Sequence, residues 1–121
     1  MKKNILFTTC LALFVMSCSN DSTNDLIDNT DPLPEQVTYN ADVKTIIDNN
    51  CINCHSVPPQ NGAPMPLTTY QQVKNAVENG NLIERISTTD LGEVMPFGGP
   101  RLPQNLIDTV IQWETDGLLE E

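Results

Sequence analysis

Cys51-Ile52-Asn53-Cys54-His55 is the stretch on which the organisation of this chain depends. Two cysteines are separated by two residues, and a histidine follows the second cysteine directly. Two sulfurs at this spacing can each form a thioether with one vinyl group of the same porphyrin, which brings His55 under the iron. A neutral imidazole is a good donor to haem iron, so His55 is the expected proximal ligand. The motif therefore predicts covalent attachment of one haem c at Cys51 and Cys54.

A Cys-x-x-Cys pair can also belong to a zinc site, a thioredoxin-like redox pair or a plain disulfide. A structural zinc site usually needs four Cys or His ligands, but the chain has one His, and its other cysteines are Cys10 and Cys18. A thioredoxin-like pair follows a strand and opens a helix, whereas residues 41–50 before Cys51 have a helical pattern. A plain disulfide stays open only for a chain that never receives haem.

The first 17 residues have the pattern of a secretory signal peptide. A short positive region precedes residues 5–16, which are largely apolar but too few to cross a bilayer. The segment Val15-Met16-Ser17-Cys18 resembles a bacterial lipobox, in which a peptidase cuts before the cysteine and lipid is attached there. The resemblance implies lipidation at Cys18 and anchoring to the bacterial cell envelope, facing the periplasm or at the outer membrane. The alternative is a soluble secreted protein in which Cys18 has no role.

A cut before Cys18 leaves a mature chain of 104 residues, which is one small domain and a tail. Residues 18–36 are rich in Asn, Asp, Ser and Thr and contain two prolines, so we predict a lipidated cysteine followed by a flexible tether. The folded domain is predicted to span residues 37–121. Its only cysteines are the two of the haem motif, so no disulfide is expected in it.

The chain is strongly acidic, with a net charge of −10 that becomes −12 when Lys2 and Lys3 leave with the signal. It has no basic patch that could neutralise phosphates, which excludes nucleic acid as a partner. An acidic surface favours redox partner proteins with a basic docking face, or serves solubility alone.

Apolar residues at helical spacing predict an all-α domain, and no stretch alternates long enough to indicate a strand. Loops 56–66 and 91–101 contain too much Pro and Gly for helix. The first expected helix covers about residues 41–50 and is capped by Asn40, and the second begins with a Thr68-x-x-Gln71 capping box and ends at Asn79-Gly80. A short third helix contains Leu82, Ile83 and Ile86. The last helix runs from about Pro103 to Asp116, with Leu106, Val110 and Trp113 on its apolar face and Gly117 at C′.

The loop of residues 56–66 can have either of two roles beside the haem. It can offer a backbone carbonyl to the second ring nitrogen of His55 and so fix the tautomer of the imidazole. It can instead do no more than cover the haem edge.

The mature chain has two methionines that could bind iron opposite His55, and each precedes a proline. Met65 lies ten residues after His55, in the loop expected on the proximal side. Met95 lies forty residues after His55, beyond a full helix and a second helical piece, which is enough chain to reach the opposite face. We therefore predict Met95 as the distal ligand.

Five segments occur in the order of a known family: Tyr39-Asn40-Ala41-Asp42-Val43-Lys44, the Cys-x-x-Cys-His motif, Leu67-Thr68-Thr69-Tyr70, Met95-Pro96 and Trp113-Glu114-Thr115-Asp116-Gly117. Over residues 39–117 the chain resembles a class I cytochrome c domain of the small kind carried on bacterial lipoproteins. The resemblance implies a small cytochrome c fold in which the first and last helices cross, a haem cleft, Met95 as iron ligand and single-electron transfer. The chain departs from the family at Pro103-Gln104-Asn105, where acidic residues commonly open the last helix.

The sequence therefore favours an electron-transfer protein over an enzyme. The leading hypothesis is a membrane-anchored single-haem carrier that cycles between Fe(II) and Fe(III) with His55 and Met95 as axial ligands. A second hypothesis is a haem enzyme or gas-binding sensor with an open sixth coordination site. A third is a lipoprotein whose haem domain docks a larger complex.

Overall fold

The computed structural model describes residues 33–121, so the predicted signal peptide 1–17, the lipidated Cys18 and most of the tether 18–36 lie outside the described residues. Four α-helices follow in chain order: α1 Lys44–Asn50, α2 Tyr70–Glu78, α3 Leu82–Ser87 and α4 Gln104–Thr115. A π-helical turn, Tyr39–Val43, leads directly into α1. This part of the chain contains no β-strand and is all-α, as predicted. None of its helices is both long and apolar enough to span a membrane.

The first helical segment begins earlier than the sequence predicted, because Thr38 and not Asn40 is its cap. The Thr38 hydroxyl accepts a hydrogen bond from the backbone N–H of Ala41 (3.4 Å), and the Thr38 N–H donates to the Asp42 carboxylate (2.8 Å). These reciprocal bonds satisfy N–H groups that a helix start leaves without partners. The Asn40 amide instead donates to the Glu121 carboxylate at the other end of the chain (2.9 Å).

The second helix has the predicted capping box, but the box lies one residue later. Thr69 is the N-cap, and its hydroxyl accepts from the backbone N–H of Gln72 (3.3 Å). The Gln72 side chain in turn accepts from the N–H of Thr68 (2.8 Å). The shift leaves Gln71 exposed to solvent. The predicted apolar face is confirmed, since Val73, Ala76 and Val77 are buried and Tyr70 is partly buried.

The predicted ends of the helices are largely confirmed. Asn79 is the C-cap of α2, α3 contains the three predicted apolar residues, and α4 ends at Thr115. Gly117 has φ +94°, a backbone conformation that glycine adopts without strain and that is common at the ends of helices. The start of α4 is shifted by one residue, because Pro103 is its N-cap and not its first helical residue. Loops 56–66 and 91–101 contain no helix, as predicted.

The core is centred on Trp113, which is completely buried on α4. Helix α4 contacts both the π-helical turn and α3, and α2 contacts α3. The Trp113 ring lies 5.8 Å from the Tyr39 ring and 6.3 Å from the Tyr70 ring, centroid to centroid. Trp113 therefore lies against the π-helical turn at the start of the first helical segment. Its indole N–H donates to the Leu119 carbonyl (2.8 Å), and the Tyr70 hydroxyl donates to the Leu118 carbonyl (2.7 Å).

The C-terminal residues close the domain by pairing with its N-terminal end. The N–H groups of Tyr39 and Asn40 donate to the carbonyls of Leu119 (2.9 Å) and Glu120 (3.0 Å). The N–H of Val37, a completely buried residue, donates to the Asp116 carboxylate (2.7 Å). Backbone groups that would otherwise be buried without partners are thus satisfied by residues nearly eighty positions away.

Replacing Asp116 with alanine is expected to lower the free energy of unfolding by about 2 kcal/mol, because the buried N–H of Val37 loses its acceptor. Asp116→Asn retains an acceptor oxygen and should cost less. Glu114→Ala, which removes an exposed carboxylate on the same helix, should stay within about 0.5 kcal/mol of the parent. Urea unfolding followed by circular dichroism measures all three. Equal effects of the Asp116→Ala and Glu114→Ala changes would contradict this role of Asp116.

Candidate functional site

The Cys-x-x-Cys-His motif forms one tight turn at the C-terminal end of α1. The N–H of Cys51 donates to the Ile47 carbonyl (2.8 Å), which ends the helix. The Cys51 carbonyl then accepts from the N–H groups of Cys54 (3.2 Å) and His55 (2.9 Å). Cys51 is half-buried and packs against the hydrophobic core. The first helix therefore leads directly into Cys51, and the turn brings all three predicted residues together.

Both motif cysteines are free thiols, and their surroundings do not suit a reactive redox pair. Burial raises the pKa of the Cys51 thiol to about 11, whereas catalytic redox cysteines have a lowered pKa. The pair also follows the C-terminal end of α1, away from the helix N-terminus that would stabilise a thiolate. For zinc, residues 33–121 bring no three Cys, His, Asp or Glu side chains into a group that could hold a metal ion.

His55 is held by its ring and by its backbone. Its Nδ1 lies 2.7 Å from the Met65 carbonyl oxygen, and its own carbonyl accepts from the N–H of Leu67 (2.8 Å). A carbonyl oxygen can only accept, so Nδ1 carries the proton and donates it. The lone pair of the imidazole is then on Nε2. Of the two roles considered for loop 56–66, the structure confirms the first, in which a loop carbonyl fixes the tautomer of His55.

Loop 56–66 folds back onto the motif through further hydrogen bonds. The N–H of Gln60 donates to the Cys54 carbonyl (2.7 Å), and the Asn61 side-chain amide lies 3.5 Å from the Cys54 sulfur as a donor. Asn61 and Gly62 both have positive φ, at 52° and 79°, which turns the loop sharply. The Asn-Gly pair signals such a turn in the sequence. That the Asn61 amide reaches a motif sulfur was not predicted.

Met95 lies on a different loop, which is anchored to α3. Its N–H donates to the Arg85 carbonyl (2.9 Å), and the preceding residue, Val94, is buried. The Met95 side chain is half-buried and packs against the same hydrophobic core as Cys51. Met65, by contrast, has its backbone beside the Nδ1 edge of His55. The structure thus brings Cys51, Cys54 and His55 into one turn, and Met95 borders the same core as Cys51.

The chemistry of these groups fits a c-type haem. Two free thiols and an imidazole with its Nε2 lone pair available lie within five residues. Apolar side chains that remain partly exposed border the core, where a large flat apolar group could cover them. They are Cys51, Ile52, Met65, Tyr70, Leu82, Ile83, Met95 and Leu106.

Comparison with known proteins assigns the chain to no family, because no family model, curated protein or solved structure matches it. Cys18, the predicted lipidation site, lies outside the described residues, so its lipidation stays a prediction.

Proposed function

We propose that this chain is a membrane-anchored electron carrier with one covalent haem c in a small cytochrome c fold. Cys51 and Cys54 form the thioethers, His55 is the proximal ligand and Met95 the distal ligand. The observation that carries the proposal is the 2.7 Å contact between His55 Nδ1 and the Met65 carbonyl, beside two free thiols in the same turn. This contact selects the tautomer that an iron ligand needs. Neither a disulfide nor a redox pair requires this contact.

The residues around the motif favour transfer of an electron with little rearrangement. When bound, the haem supplies a one-electron Fe(II)/Fe(III) couple. His55 is held by the Met65 carbonyl at its ring and by the Leu67 N–H at its backbone, which would limit its movement when the iron changes oxidation state. The Cys51 side chain packs against the core and would hold one edge of the cofactor beside the end of α1. A thioether from Met95 opposite the imidazole favours the ferrous state.

The surface charge of the domain supports a protein partner with a basic docking face. Residues 33–121 contain four Lys or Arg residues against twelve Asp or Glu residues. These residues therefore carry a formal net charge of −8 with His55 neutral, which gives the domain a negative field. Such a field attracts a positively charged redox partner and repels nucleic acid. The lipid on Cys18 and the tether of residues 18–36 would confine these encounters to the membrane surface of the cell envelope.

Three measurements on protein from a host that matures c-type cytochromes test this function. The intact mass of the mature chain should include one haem and the lipid on Cys18. In stopped-flow mixing, the reduced protein should be oxidised rapidly by an outer-sphere acceptor such as ferricyanide. Carbon monoxide should bind the reduced protein slowly or not at all, because Met95 occupies the sixth position. Rapid carbon monoxide binding would favour the enzyme or gas-sensor hypothesis, and a reduced haem inert to the acceptor would reject the carrier.

A further inference from the structure

The two cysteines of the motif are held by different surroundings. Cys51 is half-buried, and its side chain packs against the hydrophobic core. Cys54 is also half-buried, but it is not one of the described residues whose side chains border that core. Core packing can therefore fix the sulfur of Cys51, whereas the sulfur of Cys54 needs another contact to hold it in one position.

Asn61 of loop 56–66 supplies a contact to the Cys54 sulfur. The Asn61 side-chain nitrogen Nδ2 lies 3.5 Å from this sulfur and donates a hydrogen bond to it. The neighbouring residue of the loop holds the Cys54 backbone, because the N–H of Gln60 donates to the Cys54 carbonyl (2.7 Å). Loop 56–66 thus contacts Cys54 at both its backbone and its side chain.

A sharp turn in the loop directs Asn61 towards the motif. Asn61 and Gly62 have φ of 52° and 79°, and asparagine accepts this left-handed region more readily than most residues that carry a side chain. The N–H of Ala63 donates to the Gln60 carbonyl (2.9 Å), which closes the turn. The same loop supplies the carbonyl that meets His55 Nδ1. One loop therefore contacts two consecutive members of the motif.

We propose that Asn61 is a positioning residue for covalent haem attachment at Cys54, an inference that rests on the proposed function. In the attachment step the Cys54 sulfur forms a C–S bond with a vinyl group, its S–H bond breaks, and the hydrogen goes to the second vinyl carbon. The vinyl double bond becomes a single bond, so no oxidant or reductant is consumed. The Asn61 amide restricts the rotation of the Cys54 side chain, which lowers the entropic cost of bringing the sulfur to the vinyl group.

The test examines each cysteine separately in the mature chain of residues 18–121, prepared without haem and with Cys18→Ser to remove the third thiol. Cys51→Ala leaves only Cys54 for attachment, and Cys54→Ala leaves only Cys51. Asn61→Gly and Asn61→Asp are introduced into both backgrounds. Glycine adopts a positive φ freely, and aspartate keeps the side-chain size and also accepts this φ, but neither has a side-chain N–H to donate when the carboxylate is ionised.

Gln60→Ala is the matched control. It removes an amide side chain from the adjacent position of the loop, where that amide donates to the Pro58 carbonyl (2.9 Å) and not to the motif. It keeps the Gln60 N–H that bonds to the Cys54 carbonyl.

Each haem-free variant is mixed with reduced haem, and two quantities are measured. Visible absorption gives the affinity for haem before attachment, and intact mass under denaturing conditions gives the rate of covalent attachment. With only Cys54 present, both Asn61 variants should attach haem about fivefold more slowly, the change in rate that one ordinary hydrogen bond supplies. Their affinity for haem before attachment should equal that of the parent. With only Cys51 present, the Asn61 variants should attach haem at the parent rate, and Gln60→Ala should match the parent in both backgrounds.

Two results would overturn the role of Asn61 and leave the carrier function standing. One is an unchanged rate at Cys54 in both Asn61 variants. The other is equal slowing at Cys51 and Cys54, which would show that Asn61 shapes the loop and does not act on one sulfur. A parent chain with both cysteines that acquires no covalent haem, in this mixture or in a host that matures c-type cytochromes, would reject the proposed function and this inference with it.

Discussion

Replacing Cys51 and Cys54 together with alanine is expected to abolish covalent haem in the matured protein. In the proposed haem site each sulfur would form one of the two thioethers, so the double variant would have no residue left that can bond to a vinyl group. Cys51→Ala or Cys54→Ala alone leaves one possible thioether and should retain part of the haem. Intact mass under denaturing conditions, together with haem staining after denaturing electrophoresis, measures covalent attachment directly. The loss in the double variant should be complete within the sensitivity of staining.

A matched control comes from within the motif. Asn53 lies between the cysteines and is exposed, so Asn53→Ala should load haem like the parent. Far-ultraviolet circular dichroism of the haem-free parent and of the double variant should agree, because two small side chains contribute little to the core. Covalent haem in the double variant, or its equal loss in Asn53→Ala, would show that these sulfurs are not the attachment points.

The helices could be predicted from the sequence because the spacing of the apolar residues indicates which face of each helix is buried. Val73, Ala76 and Val77 are buried on α2 as their spacing indicates. The caps were less predictable, because Thr68 and Thr69 are both good N-cap residues and the choice depends on packing. Thr69 caps the helix, and this register leaves Gln71 exposed.

Contacts between distant parts of the chain could not be predicted from local patterns. The bond from the Val37 N–H to Asp116 joins residues 79 positions apart, and no periodicity or motif indicates it. The same holds for the closure of the N-terminal end by Leu119 and Glu120. Tertiary packing decides which backbone groups are buried, and only then is it clear which partners they need.

At the site, the sequence predicted which residues take part more readily than it predicted their hydrogen-bond partners. The motif points to Cys51, Cys54 and His55 because covalent chemistry demands that spacing. A carbonyl of loop 56–66 at His55 was one of two roles open from the sequence, and its assignment to Met65 depends on the folded path of the loop.

Replacing Met95 with alanine is expected to remove the weak sulfur-to-iron charge-transfer band of the oxidised protein completely. The reduction potential should fall, because the thioether that favours ferrous iron opposite imidazole is lost. The sixth position should open, so carbon monoxide should bind the reduced variant faster than the parent. Visible absorption, a potentiometric titration and carbon monoxide mixing give the three readouts. The fold should persist, since Met95 is only half-buried at the border of the core.

Met65→Ala is the matched control, because Met65 also precedes a proline and also borders the core. The contact between Met65 and His55 uses the backbone carbonyl, which alanine retains. Met65→Ala should therefore keep the charge-transfer band and change the potential little. The Met65 carbonyl lies at the Nδ1 edge of His55, in the loop predicted for the proximal side, whereas the Met95 backbone is anchored to α3. If the band survives in Met95→Ala and disappears in Met65→Ala, the assignment of the distal ligand is wrong, and so is the division of the two loops between the faces of the haem.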